Sequence, residues 1–163
     1  MGDKLEIALP SSRTANACCS NTFKIKIYYT TSPDLQCKNF TETENGGGLC
    51  WLEPPVSGGE FPFLLAQGQA INTRSYLPCQ DTPSVRTPFY AKVTAPRNLT
   101  ILMSGIMFKA DTISGEKRTS VWKQSIPIQS YLITFVVGSL SSMQLGTKIQ
   151  RGNYKFLYKV YII

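Results

Sequence analysis

Polar and apolar side chains alternate with a period of two along much of this chain, and this pattern constrains the fold more than any other feature. Residues 22–30 place Phe23, Ile25 and Ile27 on one side and Lys24 and Lys26 on the other. Successive side chains of a β-strand point to opposite faces, so the pattern is that of a strand with one buried face. Residues 5–9 alternate in the same way. The sequence therefore predicts an all-β fold that is mostly antiparallel.

Further strands are predicted for residues 61–67, 87–95, 99–106, 120–126 and 131–137. The last of these segments is apolar on both faces, which is typical of a central strand covered on each side. The polar stretch 109–118, which contains Gly115, predicts a hairpin loop, and residues 70–79 predict a helical turn that ends at Pro78.

Residues 32–59 are predicted as a long loop region, because glycine and proline are concentrated there. The segment contains a triple glycine at 46–48, a double proline at 54–55 and a double glycine at 58–59. Such residues interrupt regular structure. The apolar run Cys50-Trp51-Leu52 is expected to anchor part of this loop.

The 163 residues include no histidine, which excludes several classes of enzyme and metal site. Imidazole is the commonest general base near neutral pH and the commonest metal ligand. A Ser-His-Asp group, a His-Glu-x-x-His zinc helix and a Cys2His2 finger therefore cannot be built from this chain. By itself the chain is predicted to be inactive as a hydrolase, with no catalytic residue, no metal ligand and no cofactor.

The cysteines are expected to be free, buried thiols. They form no C-x-x-C pair, and their spacing matches no zinc framework. The first residues lack the apolar core of a secretory signal, so nothing indicates an oxidising compartment and a cytoplasmic location is predicted. The five positions are Cys18, Cys19, Cys37, Cys50 and Cys79.

More than half of the net charge of +7 lies in residues 147–163, which hold four basic residues and no acidic one. These residues are predicted as a basic aromatic tail, separate from a domain formed by residues 1–146. Within the tail, residues 153–163 alternate lysine with aromatic or aliphatic residues and either pair with a sheet edge or are a foreign end.

No nucleic acid and no membrane are predicted as partners. A nucleic-acid site needs a clustered basic face with stacking aromatic residues, and only the last ten residues interleave the two. The longest apolar run, residues 131–137, is far shorter than the roughly 20 residues needed to cross a bilayer.

Candidate functional residues are concentrated in residues 66–85. Gln67 and Gln69 flank Gly68 at a predicted strand end, where their carboxamides either bind a neighbouring backbone, bond within the sheet or face water. Asp81 is predicted to form an Asx-type turn and an ion pair with Arg74, which is a structural role. Cys79 has no histidine to activate it and is not expected to be a nucleophile.

Gln67-Gly68-Gln69-Ala70, Arg74 and Pro78-Cys79-x-Asp81-x-Pro83 strongly resemble the amino-terminal domain of the zinc aminopeptidases that include aminopeptidase N, aminopeptidase B and leukotriene A(4) hydrolase. Residues 49–54, with the sequence Leu-Cys-Trp-Leu-Glu-Pro, and residues 82, 84 and 85 resemble the leukotriene A(4) hydrolase and aminopeptidase B branch in particular. Residues 127–133 continue the match. The resemblance covers about residues 5–146.

The resemblance implies a saddle-like β domain in which Gln67, Gln69 and Ala70 line the substrate cleft of the full enzyme and help to hold the amino-terminal end of a peptide. It implies structural roles for the remaining motif residues, which are Arg74, Pro78, Cys79, Asp81 and Pro83. In the full-length enzyme, zinc would be the cofactor, amino-terminal residue removal the reaction, and epoxide hydrolysis a second reaction.

The sequence departs from the family in several places. The start of the family's domain is missing, so the domain is expected to be incomplete there, and residues 147–163 have no recognised origin. The G-x-M-E-N and H-E-x-x-H motifs, the third zinc ligand and the catalytic tyrosine are also missing. The expected partner is the missing catalytic domain or the full-length enzyme, with peptide substrates. The alternative function is a stand-alone β-sheet interaction module or a modulator of the full-length enzyme.

Overall fold

The computed structural model describes residues 4–8, 24–31, 48–54 and 61–144, together with the backbone of three short strands between residues 149 and 162. The chain divides into two compact units, residues 1–30 and 31–163. In the second unit every strand pairing is antiparallel, which confirms the predicted all-β fold. The strands are β1 (Leu49–Leu52), β2 (Phe63–Ala66), β3 (Arg86–Pro96), β4 (Thr100–Met103), β5 (Ile106–Ser114), β6 (Lys117–Gln129), β7 (Phe135–Gly138), β8 (Ser141–Gln144), β9 (Ile149–Arg151), β10 (Tyr154–Phe156) and β11 (Lys159–Ile162).

A four-stranded sheet with the order β1-β2-β7-β4 carries the main core. Strand β7 lies between β2 and β4, and it is apolar on both faces as predicted for a central strand. On one face Val136 packs against the buried Leu52 and Phe63. On the other face Val137 packs in a cluster with Ala95, Leu99 and Ile101.

A three-stranded sheet with the order β3-β6-β5 forms the second layer. Strand β3 alternates as predicted, with Ala91 and Val93 half-buried and Tyr90 and Lys92 exposed. The predicted hairpin loop over residues 109–118 is wrong, because β5 and β6 continue to Ser114 and from Lys117 and leave a turn of two residues. Gly115 makes this tight turn possible with a positive φ of 57°.

The prediction that residues 32–59 contain no regular element is also wrong. Strand β1 lies within this range and pairs with β2 along its whole length. Leu49, Cys50 and Leu52 are buried there, so the apolar run acts as a strand rather than only as an anchor. Glycine and proline on either side bound the strand but do not prevent it.

The predicted strands at residues 5–9 and 22–30 are not found in the parts of these segments that the structure describes, 4–8 and 24–31. In this first unit Ile25 and Ile27 keep 47% and 40% of their surface exposed. Alternation gives a segment an apolar side, but a strand also requires a neighbouring backbone to pair with.

Strands form in the predicted tail. β11 pairs with β8, and β10 pairs with β9. These are two separate two-stranded sheets, so among the described strands residues 153–163 are not found paired with an edge of either larger sheet. The domain boundary at residue 146 stays a prediction.

The described residues also include two short 3-10 helices. Thr73–Ser75 lies in the segment predicted as a helical turn. Ser130–Leu132 connects β6 to β7, so the strand predicted at residues 131–137 begins only at Phe135. Each contributes a residue that contacts Asp81, as described below.

Candidate functional site

Residues 67–70, here called the glutamine turn, follow β2 directly and connect it to the first 3-10 helix. Gln67, Gln69 and Ala70 are exposed, whereas Gly68 between them is buried. The Gln69–Ala70 peptide bond is cis. The turn therefore displays its two carboxamides on a surface while its centre is part of the core.

The backbone of the glutamine turn is held by hydrogen bonds to its own neighbourhood. The Gln67 N–H donates to the Gly48 carbonyl, and the Asn72 N–H donates to the Gly68 carbonyl at 2.9 Å. The Asn72 side-chain amide donates to the Gln69 carbonyl at 3.1 Å. Within the described part of the chain, neither glutamine side chain makes a hydrogen bond of its own. Of the structural alternatives, exposure to solvent is found and bonding within the sheet is not.

Ser75 connects the same turn to the start of β1. The Gly48 N–H donates to Ser75 Oγ at 2.7 Å, and that hydroxyl donates onward to the Asn72 carbonyl at 2.7 Å. Gly48 on one side and residues 72–75 on the other thus fix one short turn.

Gly68 is a steric requirement of this arrangement. A Cβ placed on it would lie 2.2 Å from Thr73 Oγ1, 2.8 Å from the Tyr76 hydroxyl and 2.9 Å from the Tyr131 Cα. The last of these is backbone and cannot move aside like a side chain. The absence of a side chain at Gly68 lets the turn sit directly on the residues beneath it.

Asp81 closes the segment with a group of contacts here called the aspartate lock, formed by Arg74, Asp81 and Ser130. Asp81 Oδ2 accepts from the Arg74 backbone N–H at 3.0 Å and from Arg74 Nε at 3.2 Å. Asp81 Oδ1 accepts from Ser130 Oγ at 2.6 Å, and Arg74 also donates to the Asp81 carbonyl at 2.9 Å. The predicted pairing of Arg74 with Asp81 is found, and Ser130 is a third partner that the sequence analysis did not assign.

The lock changes the acidity of Asp81. Its carboxylate is only 2% exposed, and burial alone would raise the pKa. The hydrogen bond from Ser130 and those from the Arg74 backbone and side chain outweigh burial, so the pKa lies below its ordinary value. Asp81 is therefore a charged structural group at neutral pH.

Tyr76 supports the turn from below and was missed by the sequence analysis. Its hydroxyl donates to the Ile133 carbonyl at 2.9 Å, and its ring meets Phe135 edge-to-face with centroids 6.0 Å apart. The residue is 5% exposed, and burial raises the pKa of its hydroxyl. The only sequence signal for it was its place inside the predicted helical turn.

Cys79 and the prolines around it lie at the surface. The Cys79 thiol is free, and partial desolvation together with the Asp81 charge raises its pKa, so it is protonated at neutral pH. Pro83 occupies the second position of a turn closed by the Val85 N–H and the Thr82 carbonyl at 3.1 Å. Pro78 is exposed. The reactive group among them is the Cys79 thiol, which in its protonated form is a weak nucleophile.

The expectation of free buried thiols is wrong for both cysteines that the structure describes. Cys50 is buried but disulfide-bonded, and Cys79 is free but exposed. Burial of Cys50 follows from its inward position on β1. The expectation rested on the odd number of cysteines and on the compartment, and neither fixes the pairing of a single residue. Cys18, Cys19 and Cys37 lie outside the described residues.

A comparison with protein families identifies the domain. The model of the Peptidase M1 N-terminal domain matches residues 2–132. This chain belongs to that family. The predicted recognition is thereby confirmed, and the all-β architecture is the one expected for an M1 N-terminal domain.

Individual relatives place this M1 N-terminal domain near two named enzymes. Leukotriene A-4 hydrolase of Xenopus laevis is 34% identical over 150 residues, which cover 90% of this chain and 22% of that protein. Aminopeptidase B of Mus musculus is 39% identical over 107 residues, covering 63% and 15%. The solved structure of an M1 zinc metallopeptidase from Deinococcus radiodurans matches with a TM-score of 0.54 at 25% identity, covering 60% and 22%. The chain thus spans about a fifth of the length of the relatives it matches.

The zinc of such metallopeptidases does not fit the residues described here. Within these residues no three histidine, cysteine, aspartate or glutamate side chains come together, and the buried carboxylate of Asp81 is already held by Arg74 and Ser130. Among the described residues there is also no helix of the length and hydrophobicity that a membrane span requires.

Proposed function

We propose that this M1 N-terminal domain forms one wall of the peptide-binding cleft of a zinc metalloaminopeptidase, where Gln67, Gln69 and Ala70 hold the amino-terminal end of the substrate. The observation that carries the proposal is the glutamine turn itself. Its two carboxamides are exposed, while its backbone is bonded on both sides and its central residue is buried.

A turn of this kind suits peptide recognition. Each carboxamide offers two donors and one acceptor carbonyl, which match the N–H and C=O groups of a peptide backbone. Because the supporting bonds fix the turn before a ligand arrives, little conformational entropy is lost on binding. The role is to position the substrate, and the bond-breaking chemistry belongs to residues of a catalytic domain.

The partner in this proposal is that catalytic domain, and the reaction of the whole enzyme is the removal of amino-terminal residues from peptides. The relatives named aminopeptidase B and leukotriene A-4 hydrolase support it. The 34% identity to the second supports epoxide hydrolysis as a further reaction of the whole enzyme. The cytoplasmic location stays a prediction. The disulfide of Cys50 argues against it, because disulfides are more common in oxidising compartments.

The test begins with the source cells. The intact mass of each polypeptide that contains the tryptic peptide ending at Arg74 is measured, and a mass several-fold above 18.1 kDa is expected. That polypeptide is then assayed for hydrolysis of aminoacyl coumarin amides and tripeptides as wild type, Gln67→Ala and Gln69→Ala. Each variant is expected to raise KM for tripeptides, with kcat/KM about 10-fold lower, as the loss of about one hydrogen bond implies.

Gln80→Ala is the matched control, since Gln80 is also exposed but lies outside the turn. Unchanged KM in both turn variants would refute the cleft-wall role. A polypeptide near 18.1 kDa without turnover would refute the proposal as a whole and favour the alternative, a stand-alone β-sheet interaction module or a modulator of a full-length enzyme.

A further inference from the structure

The three-stranded sheet has one buried face and one face open to solvent, here called the outer face. Trp122 and Ser120 of β6 are buried, and they pair with Ala91 and Val93 on the inner side. Their neighbours in sequence point the other way. The outer face is formed by Tyr90, Lys92 and Thr94 of β3, Lys117, Thr119, Val121 and Lys123 of β6, and Ile106, Phe108, Lys109 and Thr112 of β5.

Large apolar side chains stand on this face without cover. Tyr90 is 61% exposed, Phe108 52% and Ile106 76%. Tyr90 and Phe108 meet edge-to-face with centroids 6.0 Å apart, so they form one cluster rather than scattered side chains. Single exposed apolar residues are ordinary, but a contiguous group of this kind marks an interaction surface.

The charge of the outer face has one sign. The three strands contain a single acidic residue, Asp111, whose carboxylate accepts from Ser120 Oγ and pairs with Arg118 at 3.3 Å on the inner side. Lysines surround the apolar cluster on the outer face. Lys123 of β6 lies between Tyr90 of β3 and Ile106 of β5. Its Nζ is 5.5 Å from the Phe108 ring centroid. Two residues earlier on β6, Val121 is flanked by Lys92 and Lys109.

The edges of this sheet do not favour addition of another strand. Strand β5 has two register shifts along its pairing with β6. Strand β3 carries Pro88 and Pro96 and a register shift between Thr87 and Phe89. Bulges and prolines break the regular row of backbone groups that strand addition needs. A partner would therefore use the side chains of the face and not the backbone of an edge.

We infer that the outer face is a docking surface for an acidic protein segment, one that sets carboxylates beside Lys92, Lys109 and Lys123 and an apolar side chain against Tyr90, Phe108 and Ile106. A second copy of this chain is disfavoured, because it would bring lysines against lysines. Single-stranded nucleic acid is disfavoured as well, because the two rings stand edge-to-face at 74° instead of forming a parallel stacking platform, and Lys123 lies over the ring of Phe108.

The experiment measures fluorescence anisotropy with the full chain and three labelled probes: a peptide rich in glutamate and leucine, the same peptide with lysine for glutamate, and an oligothymidine strand. The acidic peptide is expected to bind more tightly than either of the other probes. Lys123→Glu should weaken its binding about 10-fold or more, because an attraction becomes a repulsion. Phe108→Ala should weaken it without changing its salt dependence.

Lys117→Glu is the matched control, with the same change of charge on the same strand and face. It lies six residues from Lys123 along β6, or about 20 Å at the rise of a β-strand. The control is expected to change binding less than about 2-fold at physiological salt, where the Debye length is about 8 Å. Circular dichroism of each variant checks folding.

Amide chemical shifts show where the peptide binds, and they separate this surface from the glutamine turn. Shifts at Tyr90, Ile106 and Phe108 support the inference, and shifts confined to residues 67–70 refute it. Equal effects of Lys123→Glu and Lys117→Glu, no binding of the acidic peptide, or tighter binding of oligothymidine would each overturn it. Self-association that Phe108→Ala abolishes would assign the face to a second copy instead.

Discussion

Replacing Asp81 with asparagine tests whether the aspartate lock holds the glutamine turn in place. The carboxylate is 2% exposed and accepts three hydrogen bonds, two from Arg74 and one from Ser130. Asparagine has the same shape, but its amide nitrogen would face one of these donors. Only one oxygen then remains to accept from the three donors, and the negative charge is lost.

The expected cost follows from the exposure of each partner. A buried hydrogen bond to a charged group contributes about 1.5–3 kcal/mol. In Asp81→Asn the amide nitrogen cannot accept, so the bond from either Ser130 or the Arg74 backbone N–H is lost, or the Ser130 hydroxyl must turn to accept instead. The Arg74 side chain is 56% exposed and regains water, so its share is within about 1 kcal/mol. Asp81→Asn should therefore lower the free energy of unfolding by about 3 kcal/mol.

Urea unfolding at neutral pH measures this change, with Arg74→Met as the comparison. Arg74→Met keeps the backbone N–H bond to Asp81 and should cost about 1 kcal/mol or less. Equal costs for the two variants, or a cost below about 1 kcal/mol for Asp81→Asn, would refute the reasoning, because the exposed ion pair and not the buried bonds would then hold the segment.

The same variant predicts a pH dependence. The pKa of Asp81 is lowered in the folded state, so its stabilising contribution is complete above the ordinary carboxyl pKa of about 4 and is lost as pH falls through the folded value. The stability difference between wild type and Asp81→Asn should therefore shrink below about pH 4. A difference that stays constant down to acid unfolding would contradict the assignment.

Three further outcomes are expected. Gly68→Ala should cost about 2 kcal/mol in urea unfolding, because its Cβ would lie 2.9 Å from the Tyr131 backbone. Gly115→Asn should change stability by less than about 0.5 kcal/mol, because asparagine tolerates a positive φ and a Cβ at Gly115 meets nothing within 4 Å. Tyr76→Phe should cost about 1–2 kcal/mol by the same measurement, since the buried Ile133 carbonyl loses its donor. The alkylation of Cys79 by iodoacetamide, followed by mass spectrometry, should become faster as pH rises, with a midpoint above that of an ordinary thiol because burial and the Asp81 charge raise the pKa of Cys79. Asp81→Asn removes that charge and should lower the midpoint.

The sequence predicted those elements whose evidence is local. Alternation in residues 87–95 predicted a strand in the right place. The apolar run at residues 131–137 predicted a central strand, which the structure begins only at Phe135. Asp81 and Arg74 lie seven residues apart, so their pairing could be expected from spacing and charge. Spaced motifs pointed to the family even where the physical argument for a single residue was weak.

Features that depend on distant partners could not be predicted. Ser130 reaches Asp81 across 49 residues, and Tyr76 reaches Ile133 across 57. Strand β1 was hidden because its flanks are rich in glycine and proline, and its strand character depends on pairing with β2. The predicted strands of the β5–β6 hairpin were too short, because the polar residues at 109–118 indicated a loop. In the structure these residues belong to strands of a sheet that has one exposed face.

The central position of β7 has a consequence for how the chain assembles as it leaves the ribosome. Strands β3, β5 and β6 all lie within residues 86–129, with only β4 of the other sheet between them, so their sheet can form once residue 129 has emerged. The other sheet cannot, because β2 and β4 have no direct pairing and β7 joins them only afterwards. Until Phe135–Gly138 is synthesised, β1 and β2 are an isolated hairpin, which is marginally stable in water. Completion of the main core thus waits for the synthesis of Phe135–Gly138.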